Sequence, residues 1–518
     1  MRTRWKILIA LGIFMALSCA VSFVTMRVQP ESQVEAYKKF LREHGEKLEI
    51  SEVVPPPVPS AENCADAVQM AFGSISGGYQ TPNAMQMVAP GKAMAAWLQP
   101  EVRGFDNRGS GGGDTTNSWE DFDADVALHR PAIELLKEVF SRPKLDFALD
   151  YKKGAYLAIP HLAEFKRTAQ VLSAATVSDL HNGDTGAAAT NLCTMLALVR
   201  GNHDEPLVIS HLVRIAMVAI AESPTWELLQ ATNATAAQLA RLQTNWEQME
   251  FLNSTEKACA AERAFLKDSV EKARADGAEF DRMMGSFGGG SSSPSSFSWS
   301  WDLEALGNSL KYGTGKALWR ASWSYTEEQH LMQADQIVLE TLRAMETNSR
   351  CLKPPYDAMQ AKLSSLGLTN VGAAIFRALK IPDFGDMLGG NWLGSIVSKT
   401  IKIEAARRVI VAAIAVKRFQ LKHGKLPETL GELAPEFFPS VPIDPYDGKP
   451  LRYHPNADGT FLLYCVGEDG VDDGGDPSLP AGITGTSFYW QNNHARDWVW
   501  PQPATEAEIK YFYEHPPK

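Results

Sequence analysis

Much of what would announce a chemistry is missing from these 518 residues. Only six cysteines occur, Cys19, Cys64, Cys193, Cys259, Cys351 and Cys465, without a C-x-x-C pair or zinc-type spacing to histidine. That excludes a thiol redox motif, a zinc finger and a disulfide scaffold. Five of the six fall in the folded part and read as core residues, with room for one or two disulfides at most. The eleven histidines form no H-E-x-x-H, and no G-x-S-x-G occurs, so neither a zinc-protease helix nor a nucleophile elbow is present. The stretch Gly109-Ser110-Gly111-Gly112-Gly113-Asp114 has aspartate where a phosphate-cradling loop needs lysine after its last glycine, and reads as a flexible loop. Positive charge is short too. With 61 acidic against 50 basic residues the net charge is −11, no basic stripe interleaves with aromatics, and nucleic acid is not expected as a partner.

Long apolar runs are scarce, and the one that qualifies sets the compartment. Ile7 to Met26 carries no charge, follows Arg2, Arg4 and Lys6, and is closed by Arg27. As a helix it would cover ~30 Å, about one hydrocarbon core. Basic residues in front favour a cytoplasmic N-terminus and send the rest of the chain across. An uncleaved anchor, a signal peptide cleaved near Ser18-Cys19-Ala20, and lipidation of Cys19 all remain open, and all export the chain. The expected location is therefore membrane-anchored, with the bulk in the periplasm or cell envelope. The next most apolar stretch, Leu207 to Ala221, is shorter and contains His211 and Arg214. It is expected to be a buried core helix.

What is present is ordinary globular material, 45% hydrophobic and 21% charged, enough for several cores. Residues 28–60 read as a stalk: a short helix ended near Gly45, then the Val53–Pro59 stretch, a stiff extended spacer. Residues 61–284 read as a helical domain, in which apolar recurrence at three and four residues predicts helices from about Asp125 to Asp281. Within them His181-Asn182-Gly183-Asp184 should stop one helix and cap the next, and Thr235 with Gln238 is a capping-box pattern. A tetratricopeptide-like set of helical hairpins and a plain antiparallel bundle both fit. Residues 285–300 are a Gly/Ser-rich linker, and 301–399 form a second helical segment. From about 400 a last long helix leads into strand-like pieces and turns. The expected fold is mainly α with a small C-terminal α+β head over 400–518, behind an N-terminal transmembrane helix at 1–27.

In that head the sequence becomes specific. His423-Gly424-Lys425-Leu426-Pro427 follows the helix; then come Asp444-Pro445-Tyr446-Asp447-Gly448 and Tyr464-Cys465-Val466-Gly467-Glu468-Asp469-Gly470. This ordered set resembles the globular head of the major pseudopilin of type II secretion systems, over about the last fifth of the chain. The whole arrangement resembles, as a general type, large membrane-anchored proteins of planctomycete and verrucomicrobial bacteria. Unlike a pseudopilin, most of the chain intervenes between the apolar segment and the head, and that segment has no acidic residue. Polymerisation into a pilus is therefore not expected.

The residues make their own case. Asp444 to Gly448 is turn chemistry, and Leu451–His454 with Phe461–Val466 should form an antiparallel hairpin through Asn456-Ala457-Asp458-Gly459. The following loop packs Glu468, Asp469, Asp472, Asp473 and Asp476 among four glycines. Such crowding is tolerated when the carboxylates are well solvated or share a cation, and hard oxygen ligands on a flexible loop suit Ca²⁺. It is not an EF-hand, since Val471 stands where a second ligand is needed. The resemblance implies calcium held by Asp469 and the Val466 carbonyl, with Asp472, Asp473 and Asp476 as further candidates.

Catalytic constellations read otherwise. His203-Asp204-Glu205 with His211 offers an acid–base pair, but Asp204-Glu205-Pro206 suits the start of the next helix. Glu327, Glu328 and His330 belong to a solvated helix face, and Glu120, Asp121, Asp123 and Asp125 to another helix start. No catalytic or organic-cofactor residue is assigned. The expected function is a non-catalytic binding or scaffolding protein of the bacterial envelope with a calcium-stabilised head, in contact with the membrane and with other envelope proteins. The alternatives are an envelope hydrolase with its site in the helical body and an accessory component of a type II secretion-like system.

Overall fold

The computed structural model describes residues 28–75, 84–103, 116–287, 313–366, 392–479 and 496–515. The expected membrane helix, the glycine-rich stretch from 104 to 115 and nearly all of the 285–300 linker lie outside them. The chain is mainly helical, with small sheets.

Helix α1 (28–43) stops where Gly45 takes φ +79°, and a short α2 (Ile50–Val53) follows. Then come α3 (Ala65–Ser74), the hairpin β1 (Gln86–Ala89) and β2 (Lys92–Met94), and the pair β3 (Val102–Arg103) and β4 (Thr116–Asn117). The acidic start of α4 (Trp119–Leu136) is capped by Ser118, whose side chain accepts the Asp121 N–H. Helices α5 (His161–His181) and α6 (Thr185–Gly201) meet at the predicted stop: Gly183 has φ +79° and Asp184 accepts the Ala187 N–H at 2.8 Å. Helix α7 (Val208–Gln230) precedes α8 (Ala236–Glu247), whose Thr235–Gln238 capping box is formed as predicted. Next are α9 (Leu252–Ala275) and α10 (Gly277–Phe287). A helical stretch from 313, with a π-turn at Trp319–Trp323, runs into α11 (Ser324–Thr347), and α12 (Lys353–Ser365) follows. After α13 (Trp392–His423) the head contains β5 (Arg452–Pro455), β6 (Phe461–Val466) and β7 (Asp497–Val499). The chain then adds β8 (Gln502–Pro503) alongside β2 and ends its described part in α14 (Glu506–Glu514).

Helix α7 is long and apolar enough to cross a membrane by composition, yet it is a core helix. It packs against α5, α6, α9 and α13, and the polar side chains His211 and Arg214 are each 2% exposed and hydrogen-bonded. His211 meets the Thr255 hydroxyl at 2.7 Å, and Arg214 donates to the Val199 and Glu250 carbonyls. Helix α13 lies against α7, α8, α9, α11 and α12, and also against β6. Contacts between segments so far apart in sequence describe a bundle, since a solenoid repeat touches only its neighbours. One hydrophobic core runs from Cys64 to Trp500. The boundary expected near 400 falls inside α13, where Thr400 is fully buried and hydrogen-bonded to Thr255. All five described cysteines are free thiols, four of them buried.

The 28–60 segment does not stand off as a stalk. Val34 and Leu41 are fully buried against Tyr325 and Met332. Lys38 is ion-paired with Glu271 and Glu328, and Glu46 with Arg263 and Arg343. The proline stretch lies on the body too, with the Val58 N–H donated to Asp146.

On α11, near Arg263 and Glu262 of α9 and Tyr37 of α1, Asp335 is 1% exposed, with Oδ1 lacking a hydrogen-bond partner. Burial pushes its carboxyl up to about 8, Arg263 pulls it down and Glu262 adds to the rise. The folded chain therefore keeps this proton while the unfolded chain loses it near pH 4. The group's contribution is full below that and is lost as pH rises to about 8. Asp335→Asn should flatten the decline in melting temperature between pH 5 and 8; an unchanged slope on thermal scans would contradict this assignment.

Candidate ion site in the C-terminal head

Strand pairing builds the site. β5 and β6 are antiparallel, with Arg452 opposite Tyr464 and Pro455 opposite Phe461. Their turn is the predicted one: Gly459 has φ +83° and Asp458 accepts the Thr460 N–H at 2.9 Å. β7 takes the other edge of β6, setting Val466 opposite Asp497 and Tyr464 opposite Val499. Trp498 and Trp500 enter the common core, and the same register carries Asp497 to the root of the acidic loop.

The Asp444–Gly448 turn closes as its residue types require. Asp444 accepts the Tyr446 N–H at 2.9 Å, and Gly448, at φ +74°, donates to the Asp444 carbonyl at 2.9 Å. A Cβ at Gly448 would also come within 3.0 Å of the Cys351 Cβ. The other Asp444 oxygen accepts the Val466 N–H at 2.8 Å and Arg452 at 2.6 Å. Arg452 reaches Asp447 and Asp472 as well, so one guanidinium stands between three carboxylates. Burial pushes the fully buried Asp444 carboxyl up to about 6, against the Tyr446 and Val466 amides and Arg452, which lower it, with Asp447 adding to the rise.

The five residues expected as calcium ligands each have a local role. Asp469 accepts its neighbour's Val471 N–H at 3.0 Å. Asp472 accepts the Tyr464 hydroxyl at 3.0 Å and the Gly474 N–H at 3.1 Å in addition to Arg452. Asp473 lies 3.6 Å from Arg496; Asp476 lies 3.7 Å from it and accepts the Ser478 N–H at 2.9 Å. Val466 ends β6 with its N–H on Asp444. Glu468 turns away to Ser398 and Lys402 on α13. The crowded charge is balanced by Arg452, Arg496 and backbone N–H groups. Among the described residues, no group of three or more His, Cys, Asp or Glu is placed to hold a metal ion.

The residue missed from sequence is Asp497. Its Oδ2 accepts the N–H groups of Asp473, Gly475 and Asp476 at 3.1, 2.8 and 3.1 Å, so the loop folds around it. Gly475 at φ +82° is needed for that wrap; a Cβ there would meet Leu462 at 2.9 Å. Asp497 is fully buried, and its Oδ1 has no partner. Burial pushes the carboxyl up to about 6; the Gly475 and Asp476 amides oppose this, and Asp472 and Asp473 reinforce it. An orphaned buried carboxylate oxygen beside further acids fits a hard cation. Spacing along the chain hides the residue, because residues 480–495 separate it from the loop; only the β6–β7 pairing brings it in.

Other constellations come apart. Asp204 pairs with His203 at 3.0 Å, while Glu205 turns inward to His161 and His211 meets the Ser254 and Thr255 hydroxyls, the latter in turn bonded to Thr400. Glu205 bonds both His161 and Ser210, but a nucleophilic relay needs the imidazole in the middle, and here the carboxylate occupies that place. Glu328 is buried on Lys38 and Arg274, so Glu327 and Glu328 do not form the expected solvated face. A surface recess of about 280 Å³, open to solvent, is lined by Gln86, Gln99, Glu101, Arg103 and Trp119, none of them among the candidates above.

Removing Arg452 should leave Asp444 buried and uncompensated. Arg452→Ala is expected to cost about 3–5 kcal/mol, the usual size for breaking a buried pair from one side. The double variant Asp444→Asn/Arg452→Met should recover part of that in urea titrations; a single variant within ~1 kcal/mol of the parent would remove the guanidinium from this role.

Compared with known proteins, the chain matches no protein-family model, no curated protein and no solved structure.

Proposed function

We propose that this is a membrane-anchored, extracytoplasmic protein of a bacterial envelope, a binding or scaffolding component rather than an enzyme, whose pseudopilin-like head is stabilised by calcium. The anchor is the Ile7–Met26 run, with three basic residues before it to retain the N-terminus inside. The observation that carries the ion reading is Asp497: a fully buried carboxylate with one oxygen unpartnered, enclosed by an acidic loop.

Calcium would be held by Asp497 and Asp469 with the Val466 carbonyl, and by Asp472, Asp473 and Asp476 as the loop adjusts. It would supply charge neutralisation and nothing catalytic. Without a cation, ionised Asp497 is costly at neutral pH, because burial holds its carboxyl near 6 against about 4 in an unfolded chain. Stability should then fall as pH rises through that window. A bound cation removes the penalty, which ties the head's integrity to an exterior rich in calcium.

The test uses the full chain, since α13 belongs to body and head together. Millimolar calcium should raise the melting temperature above that in EDTA, and weaken the loss of stability between pH 5 and 7. A ligand at a hundredfold excess over its Kd contributes ~2.7 kcal/mol. Asp497→Asn should remove the calcium response while leaving the apo protein at least as stable at pH 7. Identical melting with and without calcium would end the ion reading. Release of the protein by alkaline washing of membranes would end the anchored one.

A further inference from the structure

The way α1 is docked decides how the body stands on the membrane. The apolar run ends at Met26, and the described part of α1 starts at Val28, with Arg27 alone between them in sequence. From Val28 it is six helical residues, about 9 Å, to Val34, which is fully buried in the bundle. In sequence, a single residue separates the apolar run from the first described residue of the folded body.

The direction of α1 follows from its partners. Lys38 meets Glu328 at 2.6 Å, and Glu46 farther along meets Gln336 and Arg343, so α1 runs parallel to α11. Lys38 also meets Glu271 and Glu46 meets Arg263, so it runs antiparallel to α9. The first turn of α1 is therefore level with residues 313–323 and with the junction of α9 and α10. That end is closed by Arg320, which donates to the Arg274 and Ala275 carbonyls, and by Lys316 on Asp281. Among the described residues there, Val28 is 55% and Leu318 46% exposed.

Resting on the anchored reading above, we infer that this end of the bundle, marked by Val28 and Leu318, lies against the lipid headgroups, and that the acidic head points away from them. The occupant is the membrane surface that the chain's own leading segment enters. Among the described residues at this end, Arg282, Lys316 and Arg320 are engaged by carboxylates and carbonyls, so the contact is assigned to tethering and apolar burial and not to anionic lipid. From Ser324 to Thr347, α11 covers about 36 Å. Just past its far end, the Leu352 N–H donates to the Pro445 carbonyl at 2.6 Å, and Ser349 accepts from Arg408. The head is thus held several Debye lengths, each ~8 Å at physiological salt, from the headgroup charge.

Fluorophores placed singly at Leu318→Cys, Val28→Cys or Val471→Cys report the arrangement, in a Cys19→Ser/Cys351→Ser background because the other four cysteines are buried. Val471 is an exposed residue of the acidic loop. The full chain is reconstituted in phosphatidylcholine vesicles carrying a headgroup-level nitroxide quencher. Labels at 318 and 28 should be quenched several-fold more than the label at 471, with no dependence on added phosphatidylglycerol. Equal or reversed quenching, in protein that resists alkaline extraction, overturns the placement and leaves the anchor standing. Protein that washes off the vesicles overturns both.

Discussion

A helix whose apolar residues run all the way round has no face to give to water, and α13 is such a helix. Ala405, Ala406, Val409, Ile410, Ala412, Ala413, Ile414, Ala415 and Val416 are all fully buried. The only stable place for it is inside, so α7, α8, α9, α11 and α12 surround it and β6 of the head closes over it. Its charged turn is satisfied within the same packing. Burial would raise the Glu404 carboxyl, but Arg407 and Arg408 on the next turn hold it below the ordinary value. Arg408 then donates to the Ile443 carbonyl of the head and the Ser349 carbonyl of the body, at 2.8 and 2.7 Å. Body and head are joined by a shared core rather than by a linker, and this fixes where the acidic loop stands relative to the helices of the body.

The second constraint is buried charge. The structure places Asp335, Glu227, Asp444 and Asp497 where burial raises their carboxyls. Each is treated differently. Glu227 accepts the Met85 and Ala96 N–H groups and thereby holds the β1–β2 hairpin on α7. Asp444 has Arg452; Asp335 has Arg263 nearby; Asp497 has three amides on one oxygen and nothing on the other. That graded series is why the ion reading settles on Asp497 and not on the more numerous acids around it.

Local chemistry was legible in the sequence. Gly45, the Gly183–Asp184 stop and restart, the Thr235–Gln238 box and the 456–459 turn all act within four residues, so their signals survive without knowledge of the fold. Partnerships across the chain were not. Helix α13 reads as a single apolar stripe when only Ile403, Ala406, Ile410, Ala413, Ile414 and Phe419 are counted; the alanines and valines between them give no sign of which neighbours cover them. The segment 28–60 reads as a stalk because the carboxylates that hold Lys38 lie on α9 and α11. Glu205 reads as a helix-start acid, but its side chain turns to His161, from another helix. Five loop carboxylates were visible, while the buried one they surround lay beyond sixteen intervening residues, 480–495.

Helix α13 is the common core of body and head. Hydrogen–deuterium exchange of the full chain, followed by mass spectrometry at increasing urea, measures this most directly. Amides of α7, α13 and β6 should lose protection together, with one opening free energy and one urea dependence. Protection retained in β5 and β6 after α7 and α13 have exchanged would show a head that folds by itself, and would contradict the account.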